Sequence, residues 1–408
     1  MSEISVLDYR KALNLKILGL RFFGFWHPRP STPIHMRLFY QINHVIAILL
    51  ISFYVISVLS DLMINMKNFS VIIEDVLFLI LVFMVTFKLY TFKTKSIQIE
   101  SLTEAIYEPI DNLRSLSNKR IVNIIEYTVY YEHLIDKYSR SIVIAFDLAL
   151  FSVLFINSGK LPVRGVFPFD TAELGFYILA VIIQIGTAII TSIFIVLMDQ
   201  LLFSYVRWIN SQLQILQLFY EEDLIDEFLS RNSSKSKECT LLEILRHYDV
   251  NFDDMTHKLR VCFKIHHFWI DVIAELNSIF SISTCVQVFI SCCMICLACV
   301  QITMNEFKTQ YQMLFLLGAA LMQLFCTCWF GSELIDVSNH MSDSIWASKW
   351  ENNFNVDIKN FMLMSITIAK NPLEIKAGKF FVMSLETFIV VLRCAYSFFV
   401  MLSTVNAD

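Results

Sequence analysis

Seven long apolar stretches limit what this chain can fold into. They lie near residues 40–63, 71–92, 139–157, 175–204, 270–303, 311–330 and 380–404. As a helix rising about 1.5 Å per residue, each is long enough to cross a hydrocarbon core of about 30 Å. A membrane β-barrel would need alternating strands of roughly ten residues, whereas these stretches are continuous. The pattern therefore predicts an all-α membrane protein with seven transmembrane helices.

The composition supports a membrane protein. Hydrophobic residues make up 56% of the chain, mean hydropathy is +0.59, and there are only nine Gly and seven Pro. A soluble domain of this size is less apolar. The first 38 residues mix charges with short apolar runs and lack a small-residue cleavage site. We therefore expect no secretory signal peptide, and targeting by the first span.

Neither the cysteines nor any other motif in the sequence indicates a metal site or a catalytic centre. The run CCMICLACV at 292–300 imitates the CxxC spacing of metal sites, but along one helix its sulfur atoms point in several directions. Most of the ten cysteines fall inside spans, where we expect them to act as small apolar residues. Paired carboxylates, a nucleophile with a base, and a phosphate-binding glycine loop are all missing from the sequence. We predict no enzyme, cofactor, metal or nucleic-acid partner.

The basic residues predict the orientation. Twenty-six of the 32 Lys and Arg residues lie in the N-terminal arm and the even-numbered loops, and four lie on the other face. The positive-inside rule then places the N-terminus in the cytoplasm and the C-terminus outside. This is the reverse of the arrangement in G-protein-coupled receptors.

Long helices are predicted below the membrane. Neither Gly nor Pro occurs between Gly186 and Gly318, and an apolar seam crosses from the loop before the fifth span into that span. A helix over 241–301 would be about 90 Å long, so roughly half would project into the cytoplasm. The fourth span continues to Tyr220, and an amphipathic helix is expected near 358–369. These helices either pack within one subunit or form a base that joins subunits.

The predicted division of the chain has six parts. They are a cytoplasmic arm (1–38), four spans (39–204), cytoplasmic helical extensions (205–269) with a linker at 231–239, the fifth and sixth spans (270–330), a cytoplasmic anchor segment (331–379) and the last span (380–408).

One polar stripe climbs the last span. At 100° per residue, Glu386, Arg393, Ser397 and Thr404 fall within about 20° of one line. A charge at the bilayer centre costs at least about 2.5 kcal/mol, so the stripe should face protein or water. Packing against neighbouring helices and lining a pore both satisfy this requirement. Elsewhere, Lys88 and Asp147 are expected to pair within the membrane.

The chain resembles the insect odorant receptors. The resemblance is carried by LKILGLRFFGFW (15–26), LPVRGVFPFD (161–170), Gln184, LRVCFKIHHF (259–268) and above all the tail NPLEIKAGKFFVMSLETFIVVLRCAYSFFVMLSTVN (371–406). It implies a ligand-gated, non-selective cation channel of four subunits in the plasma membrane of sensory neurons. Each subunit would contribute its last span to one pore, and cytoplasmic helix ends would join the subunits.

The resemblance also implies site residues. Met401 and Val405 would form an apolar gate with Thr404 between them, and Glu386, Arg393 and Ser397 would belong to the pore wall. Departures from the terminal pattern of the co-receptor favour a tuning receptor that forms a heteromer with the co-receptor. The odorant pocket would lie in the outer half of the membrane among the second, third, fourth and sixth spans, at Ile73, Val76, Leu77, Ile80, Phe146, Leu150, Val153, Leu154, Tyr177, Val181, Gln184, Leu314, Leu317, Gly318 and Leu321.

The predicted function is thus that of an odorant-gated cation channel subunit that takes a small, hydrophobic volatile ligand. Three alternatives stay open at this stage: a metabotropic seven-helix receptor, a gustatory-type receptor channel and a secondary transporter. The transporter is disfavoured because the inverted repeat and the spans broken by Gly or Pro are missing from the sequence.

Overall fold

The structure is a computed structural model that describes residues 8–26, 32–114, 118–156, 161–222, 255–304, 307–348, 350 and 356–405. Within these ranges the chain is almost entirely helical. In chain order the elements are α1 (Asp8–Phe22), α2 (Ile34–Ile64), α3 (Phe69–Thr94), α4 (Ser96–Arg114), α5 (Lys119–Ile156), α6 (Leu174–Glu221), α7 (Met255–Met304), α8 (Phe307–Trp346), α9 (Val356–Ala369), β1 (Lys376–Ala377), β2 (Phe381–Val382) and α10 (Leu385–Val405).

Six of the described helices are long and apolar enough to cross a membrane, namely α2, α3, α6, α7, α8 and α10. The predicted third span, 139–157, falls at the C-terminal end of α5, which is not among the six. The prediction of an all-α membrane protein is confirmed. The seventh span and the orientation of the termini stay predictions.

Helix α6 forms the centre of the bundle. Every residue from 198 to 213 is buried, and α6 packs against α1, α2, α3, α4, α5, α7 and α8. Phe194, Tyr205 and Trp208 are its largest fully buried side chains. Because this stretch has no solvent-facing side, each of its polar side chains needs a partner inside the protein.

Several helices continue well beyond a membrane span. Helix α7 has 50 residues, which makes it about 75 Å long, and it enters the fifth span without a break, as the sequence predicts. Residues 241–254 of the predicted rod, and the linker at 231–239, lie outside the described residues. Helices α5 and α8 also extend past the predicted spans, to Lys119 and to Trp346. The amphipathic helix predicted near 358–369 is present as α9, which packs on α8.

A small hairpin precedes α10 and was not predicted. Strands β1 and β2 pair antiparallel, with Gly378 at φ +66° in the turn between them. The hairpin is fastened to α7, since the Gly378 N–H donates to Ser281 O at 2.9 Å and Asn277 Oδ1 accepts from the Lys376 N–H at 2.8 Å. The start of α10 is therefore held at a fixed place on the bundle.

Candidate functional site

A cavity of about 520 Å³ lies among α5, α6 and α8, with Leu81 of α3 and Met294 of α7 completing its wall. At one end its wall includes Phe146, Ile195 and Leu316. The other end is aromatic and includes the side chains of Tyr131, Phe203, Trp329 and Phe330. Pockets for small molecules typically enclose about 300–1,000 Å³ and are mostly apolar with a few polar groups. The cavity fits this description.

Four of the polar side chains of the cavity form a tier near its middle, while Tyr131, Tyr138, Thr191 and Ser192 line it elsewhere. Ser139 of α5, Asp199 and Gln200 of α6, and Gln323 of α8 all line it. The Gln200 Nε2 group donates to Ser139 Oγ, and the Gln323 Nε2 group donates to Asp199 Oδ2 at 2.5 Å. We refer to these four residues as the polar tier.

The predicted pairing of Lys88 with Asp147 is wrong. Lys88 pairs instead with Asp199 of the polar tier, and Asp147 accepts a hydrogen bond from Ser192 Oγ at 3.1 Å. The reason is the packing order, because α3 and α5 each pack on α6, and Lys88 and Asp147 find their polar partners on α6 rather than on each other. The second and third spans are consecutive in the sequence. Their order along the chain does not show that both Lys88 and Asp147 contact α6.

Of the residues predicted to bind odorant whose side chains the structure describes, only Phe146 lines this cavity. Ile73 and Leu77 are buried in the helix core, and Val76, Ile80, Tyr177, Val181, Leu317 and Leu321 are half-buried. Leu314 and Gly318 are exposed. The side chains of Leu150, Val153 and Leu154 lie outside the part of α5 that the structure describes. Most of the predicted set sits nearer the ends of α3 and α6 that the orientation prediction places outside.

Gln184 has a different setting from that of a free polar handle. Its Nε2 donates to Val163 O at 2.7 Å, and its Oε1 accepts from the Val163 N–H at 3.1 Å. The side chain is buried and holds the segment before α6 against the bundle. Because both polar atoms of its side-chain amide are paired with the Val163 backbone, Gln184 needs no ligand to satisfy them.

The polar stripe of α10 is exposed on the isolated subunit. Glu386, Arg393 and Ser397 are exposed, and Met401 is 60% exposed. Thr404 and Val405 lie in the last turn of α10, and their side chains fall outside the described part. Val391 and Ala395, on the opposite side of the helix, are buried. The described part of the stripe thus does not pack within its own subunit, so it faces either water or a partner subunit.

Helix α8 connects the cavity with α10. Trp329 and Phe330 line the cavity, and the next residue, Gly331, lies so close to Met383 that a Cβ there would be 2.1 Å from the Met383 carbonyl oxygen. The Leu385 N–H, at the start of α10, donates to Ser332 Oγ at 2.8 Å. A displacement of α8 at the cavity would therefore reach the first turn of α10 directly.

A buried charge cluster lies beyond the aromatic end of the cavity. Lys16 of α1 is 2.9 Å from Glu132 Oε1 and 3.1 Å from Asp136 Oδ1, and its ammonium also donates to Ser204 Oγ at 2.6 Å. Trp208 Nε1 donates to Glu132 Oε2 at 2.9 Å. These contacts fasten the N-terminal helix to α5 and α6.

Arg207 joins this cluster to the cavity wall. Its guanidinium lies 3.8 Å from Glu132 Oε1 and 5.3 Å from the ring centroid of Phe330. Burial alone would raise the pKa of Glu132, but the Lys16 ammonium, the Arg207 guanidinium and the Ser204 hydroxyl lower that pKa to about 2. Glu132 is therefore ionised at neutral pH.

Neither the polar tier nor the charge cluster was predicted from the sequence. The available signal was the polar content of 199–212, which continues a strongly apolar span without a helix breaker. A helix that carries Asp199, Gln200 and Arg207 and still has apolar residues on all sides is expected to be buried by several neighbours.

Comparison with known proteins identifies the family. A family model described as 7tm Odorant receptor matches residues 68–396. The chain is 28% identical over 152 residues to Odorant receptor Or2 of Anopheles gambiae, covering 36% of this chain and 39% of that protein. It is 28% identical over 139 residues to Odorant receptor 49a of Drosophila melanogaster, covering 33% of this chain and 34% of that protein. The alignments thus span less than half the length of these relatives.

The fold also matches a solved receptor. The olfactory receptor OR5 of Machilis hrabei in complex with eugenol superposes with a TM-score of 0.80 at 17% identity, covering 97% of this chain and 98% of that chain. A second structure of the same receptor, named without eugenol, gives a TM-score of 0.76 at 16% identity. Because the family model matches most of the chain, this multi-pass membrane protein belongs to the 7tm odorant receptor family.

Proposed function

We propose that this odorant receptor is a subunit of an odorant-gated, non-selective cation channel that works with a co-receptor in the plasma membrane of sensory neurons. The odorant occupies the cavity among α5, α6 and α8, and α10 lines the ion pathway. The observation that carries the proposal is the position of α8, which forms a cavity wall and also holds the first turn of α10.

The exposed stripe of α10 supports the pore assignment. Only 11% of the apolar stretch Leu385–Leu402 of α10 is buried in the subunit. The exposed face carries Glu386, Arg393 and Ser397. Because ionised side chains are costly in hydrocarbon, that face requires water or a partner. A pore shared by several subunits provides water, with Met401, Thr404 and Val405 as the constriction.

Ligand binding would open the channel by a shift in population. A ligand stabilises whichever state gives the cavity more favourable contacts. If that state displaces α8 from its resting position, the contacts of Gly331 and Ser332 transmit the displacement to α10. The co-receptor supplies other subunits of the pore. OR5 in its complex binds eugenol, which supports a small volatile molecule as the ligand class.

A blocking substitution tests the ligand site. Ala320 lines the cavity and is 5% exposed, whereas Gly318 on the same helix has open space beside its Cα. We expect Ala320→Trp, co-expressed with the co-receptor, to abolish odorant-evoked current while surface expression persists. Gly318→Trp should retain the response.

The opposite pattern would contradict the cavity assignment. A response lost in Gly318→Trp and kept in Ala320→Trp would place the ligand among the residues predicted from the sequence instead. Current that persists without a co-receptor would remove the heteromer from the proposal. A C-terminal tag that stains only after permeabilisation would reverse the orientation and favour a metabotropic receptor.

A further inference from the structure

We infer that the cavity selects slender ligands that bear a hydroxyl group, and that this hydroxyl donates its hydrogen to an amide oxygen of the polar tier, that of Gln200 or Gln323. The inference rests on the proposed function and adds the chemical class of the ligand to it. The class follows from which hydrogen-bonding atoms of the polar tier are already engaged.

The orientation of the Gln323 amide is fixed by charge. Its neighbour Asp199 pairs with Lys88, and a carboxylate in an ion pair accepts hydrogen bonds only. The Gln323 amide must therefore present its nitrogen to Asp199, as it does at 2.5 Å. The amide oxygen of Gln323 is left without a partner among the described residues.

The Gln200 amide is oriented by a second chain of hydrogen bonds. The Ser139 hydroxyl donates to the Ile135 carbonyl oxygen and can only accept from a further neighbour. Gln200 Nε2 donates to it. Gln200 is 6% exposed, and its Oε1 has no hydrogen-bond partner among the residues that the structure describes.

The tier thus offers acceptors in a mostly apolar cavity. A buried carbonyl oxygen without a donor is unfavourable, and a ligand that brings an O–H group removes the deficit. Ethers, esters and ketones accept hydrogen bonds and cannot donate one. Such ligands would leave both amide oxygens unpaired.

The shape of the cavity restricts the rest of the ligand. Its lining runs along α8 from Leu316 to Phe330, which corresponds to about 21 Å of helix. A volume of about 520 Å³ spread over that length makes the cavity slender. Gln323 lies midway between the two ends, so one half of the cavity accommodates the apolar part beside a hydroxyl at the tier.

Isomeric ligand pairs test this inference. Octanol and heptyl methyl ether have the same formula, as do ethylphenol and methylanisole, and only the first member of each pair donates a hydrogen bond. The receptor is co-expressed with the co-receptor, and currents are recorded against each compound. We expect the hydroxyl compounds to be more potent on the wild type, by about three- to tenfold.

Substitutions at the tier should remove that preference. Gln323→Met and Gln200→Met keep side-chain length and delete the acceptor, so they should raise the half-maximal concentration of octanol about three- to tenfold and leave the ether unchanged. Gln312→Met is the matched control, because Gln312 lies on the same helix outside the cavity lining. It should change neither response.

Failure of the inference is distinguishable from failure of the proposed function. If Ala320→Trp silences both members of a pair while the glutamine variants shift neither, the cavity stands and hydroxyl selection is overturned. If Ala320→Trp changes nothing, the proposed site is wrong. If a glutamine variant does not reach the cell surface, the melting temperature of the purified protein is measured with each compound instead of the odorant-evoked current. Equal potency and equal thermal shift within every pair, including no effect from any compound, would overturn the inference.

Discussion

At the scale of single residues, the buried charges dominate the energetics. Glu132 faces Lys16 and Arg207 and is 1% exposed. Removing one partner of a buried ion pair leaves the other charge desolvated and uncompensated, at a cost of about 3–5 kcal/mol. Three helices, α1, α5 and α6, meet at this cluster, so its loss would weaken the packing of all three.

We therefore expect Glu132→Gln to lower the free energy of unfolding by about 3 kcal/mol or more. The measurement is the thermal unfolding of the purified receptor in detergent. Glu126→Gln is the matched control, because Glu126 lies on the same helix and is exposed. It should change the free energy of unfolding by less than about 0.5 kcal/mol. Equal melting temperatures for the two variants would contradict the account of the cluster.

The same residue predicts a pH dependence. Its pKa is about 2 in the folded protein, against a usual value of 4.5. Between these values the unfolded chain binds the proton and the folded chain does not, so acid favours unfolding. The stability from Glu132 should be complete above about pH 4.5 and fall progressively as the pH decreases towards 2. In Glu132→Gln this part of the acid sensitivity should disappear.

At the scale of elements, the contact between α8 and α10 carries the proposed coupling. A Cβ at Gly331 would meet the Met383 carbonyl oxygen at 2.1 Å, whereas one at Gly318 meets nothing within 4 Å. Gly331→Ala must therefore displace the start of α10 or α8. Backbone atoms cannot yield as the end of a flexible side chain can.

We expect Gly331→Ala to reduce odorant-evoked current strongly and to leave odorant binding to the purified receptor within about threefold of wild type. Gly318→Ala is the control, and it should be neutral or stabilise α8 by up to about 1 kcal/mol. Binding lost together with current in Gly331→Ala would mean that the contact shapes the cavity rather than transmitting a signal from it.

The sequence predicts the elements more fully than it predicts the site. The long helices α6 and α7 follow from apolar periodicity and from the absence of Gly and Pro between Gly186 and Gly318. The hairpin before α10 escapes prediction because two-residue strands have no detectable alternation. The cavity escapes prediction because its lining comes from five helices, and depth along a span does not define which face each one presents.

The wrong pairing of Lys88 has the same origin. Charge and depth both identify Lys88 as a residue that needs a buried partner, and it has one in Asp199. Choosing between Asp147 and Asp199 requires the packing order of the helices. That order results from the burial of α6 on all sides, which is a property of the assembled bundle.

At the scale of the whole molecule, the proposed channel requires that water reach one face of α10. The exposed face carries Ser397 and Met401, and the face that packs on the subunit carries Val391 and Ala395. In the proposed channel the first face would line the conduit. The two faces should therefore differ in their access to a charged reagent.

Cysteine accessibility on α10 during current recording tests this claim most directly. Cys394 is exposed and is first replaced by Ser. In that background Ser397→Cys and Met401→Cys should be blocked irreversibly by a charged methanethiosulfonate, faster while odorant is present, and Ala395→Cys should not react. If Ser397→Cys and Met401→Cys stay as inert as Ala395→Cys with and without odorant, α10 does not line the ion pathway.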